Sequence, residues 1–137
     1  MSTLAEYIVA QMAAWGIQRV YGVSGDTFFP LIDAIDKHPQ MSFVTVRHEA
    51  AAGFMTSAEY KLTGRLAACL ATSGPGIGNL LNGLGDAYAD KVPVLAITGQ
   101  VETYKLGTEA KQYLDQQLFI QPLAGYTALL ATPDAAG

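Results

Sequence analysis

The residue best placed to do chemistry is a carboxylate, Glu49, which follows a β-like run over residues 42–46 and begins an Ala/Gly-rich helix. A carboxyl group at the carboxyl end of a buried strand lies in the crevice where open α/β sheets bind ligands. Because its neighbours on the helix are small or apolar, we expect the group to be partly desolvated and suited to proton transfer. The alternative is an ordinary solvated Glu in a first helical turn, where the helix dipole favours it.

A second candidate is the glycine-rich segment over residues 72–79, which follows a predicted strand and opens a predicted helix. Three glycines and a proline let the backbone approach a ligand, and the free N–H groups of a helix start favour an acceptor. The spacing departs from a dinucleotide fingerprint, and no Gly-Lys-Ser/Thr follows as in a Walker loop. The alternative is a tight strand-to-helix turn without a ligand.

Two further segments end predicted strands. Residues 21–26 nearly match a nucleophile elbow around Ser24, but Asp26 stands where the last Gly should be. A triad would need His38 or His48, and neither has a suitable orienting context, so serine hydrolysis is disfavoured. In residues 97–101 the amide of Gln100 either contacts a ligand or ties down a loop.

The elements that must position these residues alternate between strand and helix. A capping box, Thr3 with Glu6, opens the first helix, which Gly16 closes. The other helices are predicted through residues 29–35, with Asp26 or Thr27 as cap, and over residues 49–62 and 77–90. The strands are predicted over residues 17–22, 41–46, 66–71 and 92–98. Their continuous apolar runs indicate burial on both faces, so we predict a three-layer α/β/α fold with a mainly parallel sheet.

The pattern changes after Gly99. A short helix over residues 113–119 and a strand over residues 125–130 are possible, and Thr132-Pro133 is a helix start signal. A helix that begins where the chain stops favours a C-terminally truncated domain, residues 1–137. Small and apolar faces on the two central helices predict contact with another chain. These faces comprise Ala50, Gly53, Phe54, Ser57 and Ala58, and Gly78, Leu81, Asn82, Gly85 and Tyr88.

Composition narrows the classes of function. The chain has 137 residues, a net charge of −4 and no Lys/Arg cluster, so we expect neither a nucleic acid nor a membrane as partner. No basic segment resembling a signal peptide begins the chain, and Cys69 lies in an apolar run, so a reducing cytoplasm is expected. One Cys and two His are too few for the usual four-ligand zinc site, so we expect no zinc site held by the protein alone.

Four segments together resemble one family in order and spacing. They are Tyr-Gly-Val-Ser-Gly-Asp at residues 21–26, Arg-His-Glu-Ala-Ala-Ala-Gly-Phe-Met at 47–55, Ala-Thr-Ser-Gly-Pro-Gly at 71–76, and Val-Pro-Val-Leu-Ala-Ile-Thr-Gly-Gln at 92–100. The family is that of thiamine diphosphate enzymes of the acetolactate synthase and pyruvate oxidase type, and the chain resembles their N-terminal pyrimidine-binding domain up to about Tyr126.

The resemblance implies roles for particular residues. In that family the Glu matching Glu49 hydrogen-bonds the cofactor's aminopyrimidine and promotes loss of the thiazolium C2 proton. The residues that the resemblance places around the cofactor are Gly22, Val23, Ser24, Gly25, Glu49, Thr72, Ser73, Gly74, Pro75, Gly76 and Asn79. Gln100 and Gln112 are expected on the substrate side. The implied activity is decarboxylation or carboligation of a 2-oxo acid.

The chain also departs from the family pattern. Ser24 stands where the family often has Pro, and Lys111-Gln112-Tyr113 replaces a common Phe-Gln-Glu, which leaves the substrate open. The family's diphosphate and Mg²⁺ are held by a separate C-terminal domain with a Gly-Asp-Gly motif that these residues do not contain. The resemblance therefore implies an incomplete domain without its last helix and strand, inactive alone, and a C-terminal domain or subunit as partner.

The resemblance further implies a homo-oligomer, and it leaves FAD binding open. One alternative is a non-catalytic, truncated interaction module that pairs with other chains. Another is a nucleotide-binding α/β domain, but such a domain needs no acid at the position of Glu49.

Overall fold

The computed structural model describes residues 3–136, in which strands and helices alternate. The α-helices are α1 (Leu4–Ala14), α2 (Phe29–Lys37), α3 (Glu49–Thr63), α4 (Pro75–Ala89) and α5 (Gln116–Ile120). The strands are β1 (Arg19–Gly22), β2 (Ser42–Thr45), β3 (Ala68–Ala71) and β4 (Leu95–Thr98). Short 3₁₀ turns cover Asp26–Phe28, Thr103–Lys105, Gln121–Leu123 and Pro133–Ala136.

The predicted start of α1 is confirmed, and α3 ends at Thr63, one residue beyond the predicted range. The Thr3 hydroxyl accepts a hydrogen bond from the Glu6 amide at 3.2 Å, and the Glu6 carboxylate accepts one from the Thr3 amide at 2.7 Å. Gly64 ends α3 in the left-handed region, with φ +70°, and its amide donates to the Tyr60 carbonyl at 2.8 Å. Glycine is favoured there because a side chain would strain that conformation.

The strands form one parallel sheet in the order β2-β1-β3-β4, which confirms the predicted α/β class. One core packs α1 and α2 against one face, and another packs α3 and α4 against the opposite face. Alternate residues of β3 serve the two cores, with Leu70 in the first and Cys69 in the second. The helices on both faces make the fold a three-layer α/β/α arrangement.

The prediction that the strands are buried on both faces is confirmed for the inner strands and wrong for the outer ones. All four residues of β3 are buried, whereas β2 and β4 are half-buried or exposed along their lengths. In the described part of the chain each outer strand has one neighbouring strand, so less of its surface is covered.

Several predicted boundaries and one predicted strand differ from the structure; β1 and β3, for example, each begin two residues later than predicted. Helix α2 begins at Phe29 without a side-chain cap, because Asp26 and Thr27 lie in a separate 3₁₀ turn. Strand β4 begins at Leu95 and not at Val92. The Val92 amide donates to the Ala87 carbonyl near the end of α4, at 2.8 Å, and so does not take part in the sheet. The predicted strand over residues 125–130 is wrong, since that segment is irregular and largely exposed.

Helices α3 and α4 cross with their backbones in contact. A Cβ atom added to Gly83 would lie 2.5 Å from the Cα of Gly53. The Ser57 hydroxyl donates to the Asp86 carboxylate at 2.9 Å. The prediction that Gly53 and Ser57 face another chain is therefore wrong, because these residues face α4. Phe54, Ala58 and Tyr88 are exposed, as that prediction requires.

Candidate functional site

The segments singled out in the sequence lie at one edge of the sheet. Residues 23–25, Glu49, residues 72–76 and Gln100 follow the carboxyl ends of β1, β2, β3 and β4 in turn. In a parallel sheet these ends lie side by side, and ligands bind in the crevice outside them.

Glu49 is the first residue of α3 and is buried, with 7% of its surface exposed. The preceding His48 caps the helix, because its Nδ1 accepts a hydrogen bond from the Ala50 amide at 3.2 Å. The Nδ2 of Asn79 donates to Glu49 Oε2 at 3.0 Å. Asn79 therefore fixes one oxygen of the carboxylate.

The other oxygen of Glu49 lies beside Gly76. A Cβ atom added to Gly76 would lie 3.5 Å from Glu49 Oε1 and 3.1 Å from the methyl group of Thr72. Among residues 3–136, no donor is within hydrogen-bond reach of Oε1. The absence of a side chain at residue 76 therefore leaves space next to a carboxylate oxygen that can accept or share a proton.

The turn before Gly76 is shaped by a distant loop. Gly74 has φ +71° and ψ −113°, and a Cβ there would lie 2.6 Å from the carbonyl oxygen of Gln112. Pro75 is the first residue of α4, two residues before the predicted start of that helix. The glycine at position 74 is thus required both by its conformation and by the close approach of the loop.

The loop after β1 contributes fewer contacts to the site. Gly22 lies inside the strand, where an added Cβ would come within 2.9 Å of the Leu70 side chain, so packing explains this glycine. Gly25 comes close to Thr72, with an added Cβ 3.6 Å from its hydroxyl. Val23 is half-buried, and Ser24 is exposed.

The two glutamines expected on the substrate side behave differently. The amide of Gln100 is occupied: its Nε2 donates to the Leu114 carbonyl at 2.9 Å, and its Oε1 accepts from the Val101 amide at 2.9 Å. Gln100 thus ties down a loop, one of the two alternatives that the sequence left open. Gln112 is exposed, and its backbone lies against Gly74.

Gln116 was missed in the sequence. It is buried, and its Nε2 donates to the Gly99 carbonyl at 2.6 Å. Gly99 in turn approaches the loops after β1 and β3, since an added Cβ would lie 2.6 Å from the Thr27 methyl group and 3.2 Å from the Ser73 amide nitrogen. Its partner lies 17 residues away in sequence, and no local pattern signals such a contact.

Comparison with known proteins identifies the group to which this arrangement belongs. Residues 2–119 match the family described as "Thiamine pyrophosphate enzyme, N-terminal TPP binding domain". The chain belongs to this family. This confirms the resemblance, inferred from the four segments, to the N-terminal domain of enzymes that use thiamine diphosphate, also called thiamine pyrophosphate or TPP.

The relatives of this TPP domain include acetolactate synthases. It is 37% identical to the putative thiamine pyrophosphate-containing protein YdaP of Bacillus subtilis, over 89% of this chain and 21% of that protein. It is 36% identical to an acetolactate synthase of Mycobacterium bovis, over 96% of this chain and 21% of that protein. It is also 36% identical to the acetolactate synthase isozyme 1 large subunit of Escherichia coli, over 93% of this chain and 23% of that protein. The chain spans 21–23% of the length of these curated relatives.

The residues at the sheet edge fit the pyrimidine part of thiamine diphosphate. A buried carboxylate with one fixed and one free oxygen can hydrogen-bond a ring nitrogen, and Gly76 leaves room beside it. The described residues contain no cluster of three or more His, Cys, Asp or Glu side chains that could hold a metal ion. Across residues 3–136, none of the helices combines the length and apolar character needed to span a bilayer.

Proposed function

We propose that this TPP domain provides the pyrimidine half of a thiamine diphosphate site in an enzyme that decarboxylates or carboligates 2-oxo acids, with Glu49 as the catalytic acid and base. The observation that carries the proposal is the state of the Glu49 carboxylate. It is buried, Asn79 holds its Oε2 at 3.0 Å, and its Oε1 lies free beside Gly76.

The roles of the neighbouring side chains follow from these contacts. Glu49 Oε1 would hydrogen-bond a pyrimidine ring nitrogen and pass a proton to and from it. Asn79 would keep the carboxylate oriented by holding Oε2. Gly76 and the turn over residues 72–74 would leave the space that the ring occupies, and residues 22–25 would border it. When bound, the cofactor supplies an electron sink for the carbanion formed on decarboxylation.

The rest of such an enzyme lies outside these residues. The diphosphate and Mg²⁺ would be held by a C-terminal domain on this or another chain, in keeping with the share of the relatives that the chain covers. We propose that the assembled enzyme is a cytoplasmic homo-oligomer, and that the 137 residues alone are inactive, bind thiamine diphosphate weakly and self-associate.

The test is Glu49→Gln in the enzyme assembled with a diphosphate-binding domain. The amide is nearly isosteric but cannot accept and return the proton, so C2 proton exchange of bound thiamine diphosphate should slow by roughly 10²–10⁴-fold. Exchange is followed by NMR. Asp36→Asn, an acid-to-amide change at an exposed position of α2, is the matched control and should leave the rate unchanged. Near wild-type exchange in Glu49→Gln would remove Glu49 from the mechanism.

The alternative of a non-catalytic interaction module is favoured by one observation. The outer face of α3 exposes apolar side chains, including Phe54 at 45%, Met55 at 38% and Leu62 at 84%. Exposed apolar patches mark partner surfaces. If cofactor binding is absent even with the diphosphate-binding domain supplied, while the chain still associates, this second function is the one that remains.

A further inference from the structure

Two glutamine side chains tie the end of β4 to the start of α5 in opposite directions. Gln100, just after β4, donates to the carbonyl of Leu114 at 2.9 Å. Gln116, the first residue of α5, donates back to the carbonyl of Gly99 at 2.6 Å. These two hydrogen bonds, here called the glutamine pair, close the intervening loop at its base.

The loop closed by the glutamine pair carries the backbone that contacts the cofactor-side turn. Gln112 adopts φ +69°, an uncommon conformation for a residue with a side chain. Its carbonyl oxygen would lie 2.6 Å from a Cβ on Gly74, so loop and turn are in direct backbone contact. Gln112 lies between the two ends that the glutamine pair joins, so we expect a shift of the loop base to loosen its contact with Gly74.

The side-chain amide of Gln116 is buried, and burying a polar group lowers the stability of the fold unless its hydrogen bonds offset the loss of hydration. Only 7% of the residue is exposed, and within residues 3–136 its Oε1 is buried without a hydrogen-bond partner. An unpaired buried acceptor is destabilising, and an apolar side chain of similar shape would avoid that penalty. What an apolar side chain could not supply is the hydrogen bond that Gln116 Nε2 donates, which fixes the Gly99 carbonyl.

We propose that Gln116 is a positioning residue, which acts through the glutamine pair to hold Gln112 over Gly74 and so sets the substrate side of the site. This role rests on the proposed function, because it assigns the loop over residues 101–115 to the 2-oxo acid and not to the pyrimidine. Glu49 and Asn79 belong to other elements, and the two hydrogen bonds of the glutamine pair, to Leu114 and Gly99, do not involve them.

The first test is hydrogen–deuterium exchange on the full chain without ligand. Gln116→Met keeps the length of the side chain but removes its donor. The amide of Tyr113, which donates to the Ala110 carbonyl at 3.0 Å, should exchange about 3- to 10-fold faster. Gln117→Met, at the exposed neighbouring position in α5, is the matched control and should leave that rate unchanged.

The second test asks whether the two glutamines act as a unit. Gln100→Met should also accelerate Tyr113 exchange, and it carries the same test if Gln116→Met does not fold. The double variant should exchange more slowly than the product of the two single effects predicts, because either change alone opens the loop base. Unchanged Tyr113 exchange in both single variants, an equal effect of Gln117→Met, or fully multiplicative effects would each overturn the proposal.

The third test separates positioning from general stability in the assembled enzyme, with pyruvate as the probe substrate. Gln116→Met should raise KM by about 5- to 10-fold and leave kcat within about twofold. Because the loop also touches the turn at Gly74 through the Gln112 backbone, the Kd of thiamine diphosphate should rise as well, but by less than KM. Faster exchange with unchanged KM would refute the substrate-side role. Because the exchange experiments contain no cofactor, they stand even if Glu49→Gln shows that the proposed function is wrong.

Discussion

Replacing Gly83 by Ala tests how α3 and α4 hold the site together. The new Cβ would lie 2.5 Å from the Cα of Gly53, 2.6 Å from its carbonyl carbon and 2.7 Å from the amide nitrogen of Phe54. All three are backbone atoms, so no side-chain rotation relieves the contact. Since ordinary contacts of a Cβ begin at 3.4 Å, the helices must separate by about 1 Å or deform.

The magnitude follows from two opposing effects. Overpacking a close contact costs about 1–3 kcal/mol, whereas Ala in place of Gly within a helix contributes about 1 kcal/mol. Gly85 is the matched control on the same helix, because an added Cβ there meets no atom of the described residues within 4 Å. Both variants gain the same helix propensity, so Gly83→Ala should be less stable than Gly85→Ala by about 1–3 kcal/mol.

Urea unfolding of the two variants at one protein concentration measures this difference directly. The site offers a second readout, because Gly53 and Gly83 lie one helical turn after Glu49 and Asn79. Separating the helices at the crossing should also lengthen the 3.0 Å hydrogen bond between Asn79 and Glu49 and weaken cofactor binding in the assembled enzyme. Equal stability of Gly83→Ala and Gly85→Ala would show that the backbones do not meet as described.

Three other substitutions or conditions probe separate features. Gly76→Val should place a branched side chain beside Glu49 and raise the Kd of thiamine diphosphate at least about tenfold, with little change in the unfolding midpoint. Calorimetry measures the Kd and thermal unfolding measures the midpoint; a collapse of stability with normal cofactor binding would show that the turn has only a structural role. Burial and the hydrogen bond to Glu59 raise the pKa of Tyr21 to about 12, above its ordinary value of 10.0, so the contribution of Tyr21 to the free energy of unfolding should be fully retained below pH 10 and be lost between pH 10 and about 12. Tyr21→Phe should remove that part of the alkaline loss and leave the part due to Cys69, whose pKa is also raised; an unchanged slope in alkaline unfolding curves would contradict it. Burial also raises the pKa of Cys69 to about 12, so the thiol should react with a disulfide reagent only as the chain unfolds; rapid labelling of folded protein would show that it is accessible.

Most of the elements could be predicted because their ends carry local signals. Thr3 with Glu6 and the left-handed Gly64 mark helix ends through contacts within a few residues. The exact start of β4 could not be read, because the Val92 amide is claimed by the end of α4. Residues 125–130 have the composition of a strand, but a strand needs a neighbour, and these residues lie exposed.

The candidate site was predictable only in part. Strand order places Glu49 and the turn over residues 72–76 at one edge, and the apolar runs of the strands already suggested that placement. The hydrogen bond from Asn79 to Glu49 joins two helices, and the contact of Gln112 with Gly74 joins a loop to a turn. Such contacts depend on tertiary packing, so local pattern carries no signal for them. Gln116 was missed for the same reason.

The strand order also sets the sequence of events by which the site can form. Pairing of β1 with β2 joins Arg19 to Ser42, whereas pairing of β1 with β3 joins Val20 to Ala68, across about twice the length of chain. Closing longer stretches of chain is entropically costlier, and parallel pairings between distant segments form slowly. Along the chain, Glu49 lies between β2 and β3, and Asn79 lies after β3. The hydrogen bond between them needs α4, which follows β3 in the chain, so a folding intermediate that contains β1 and β2 alone would lack Asn79 and with it one side of the proposed pyrimidine site.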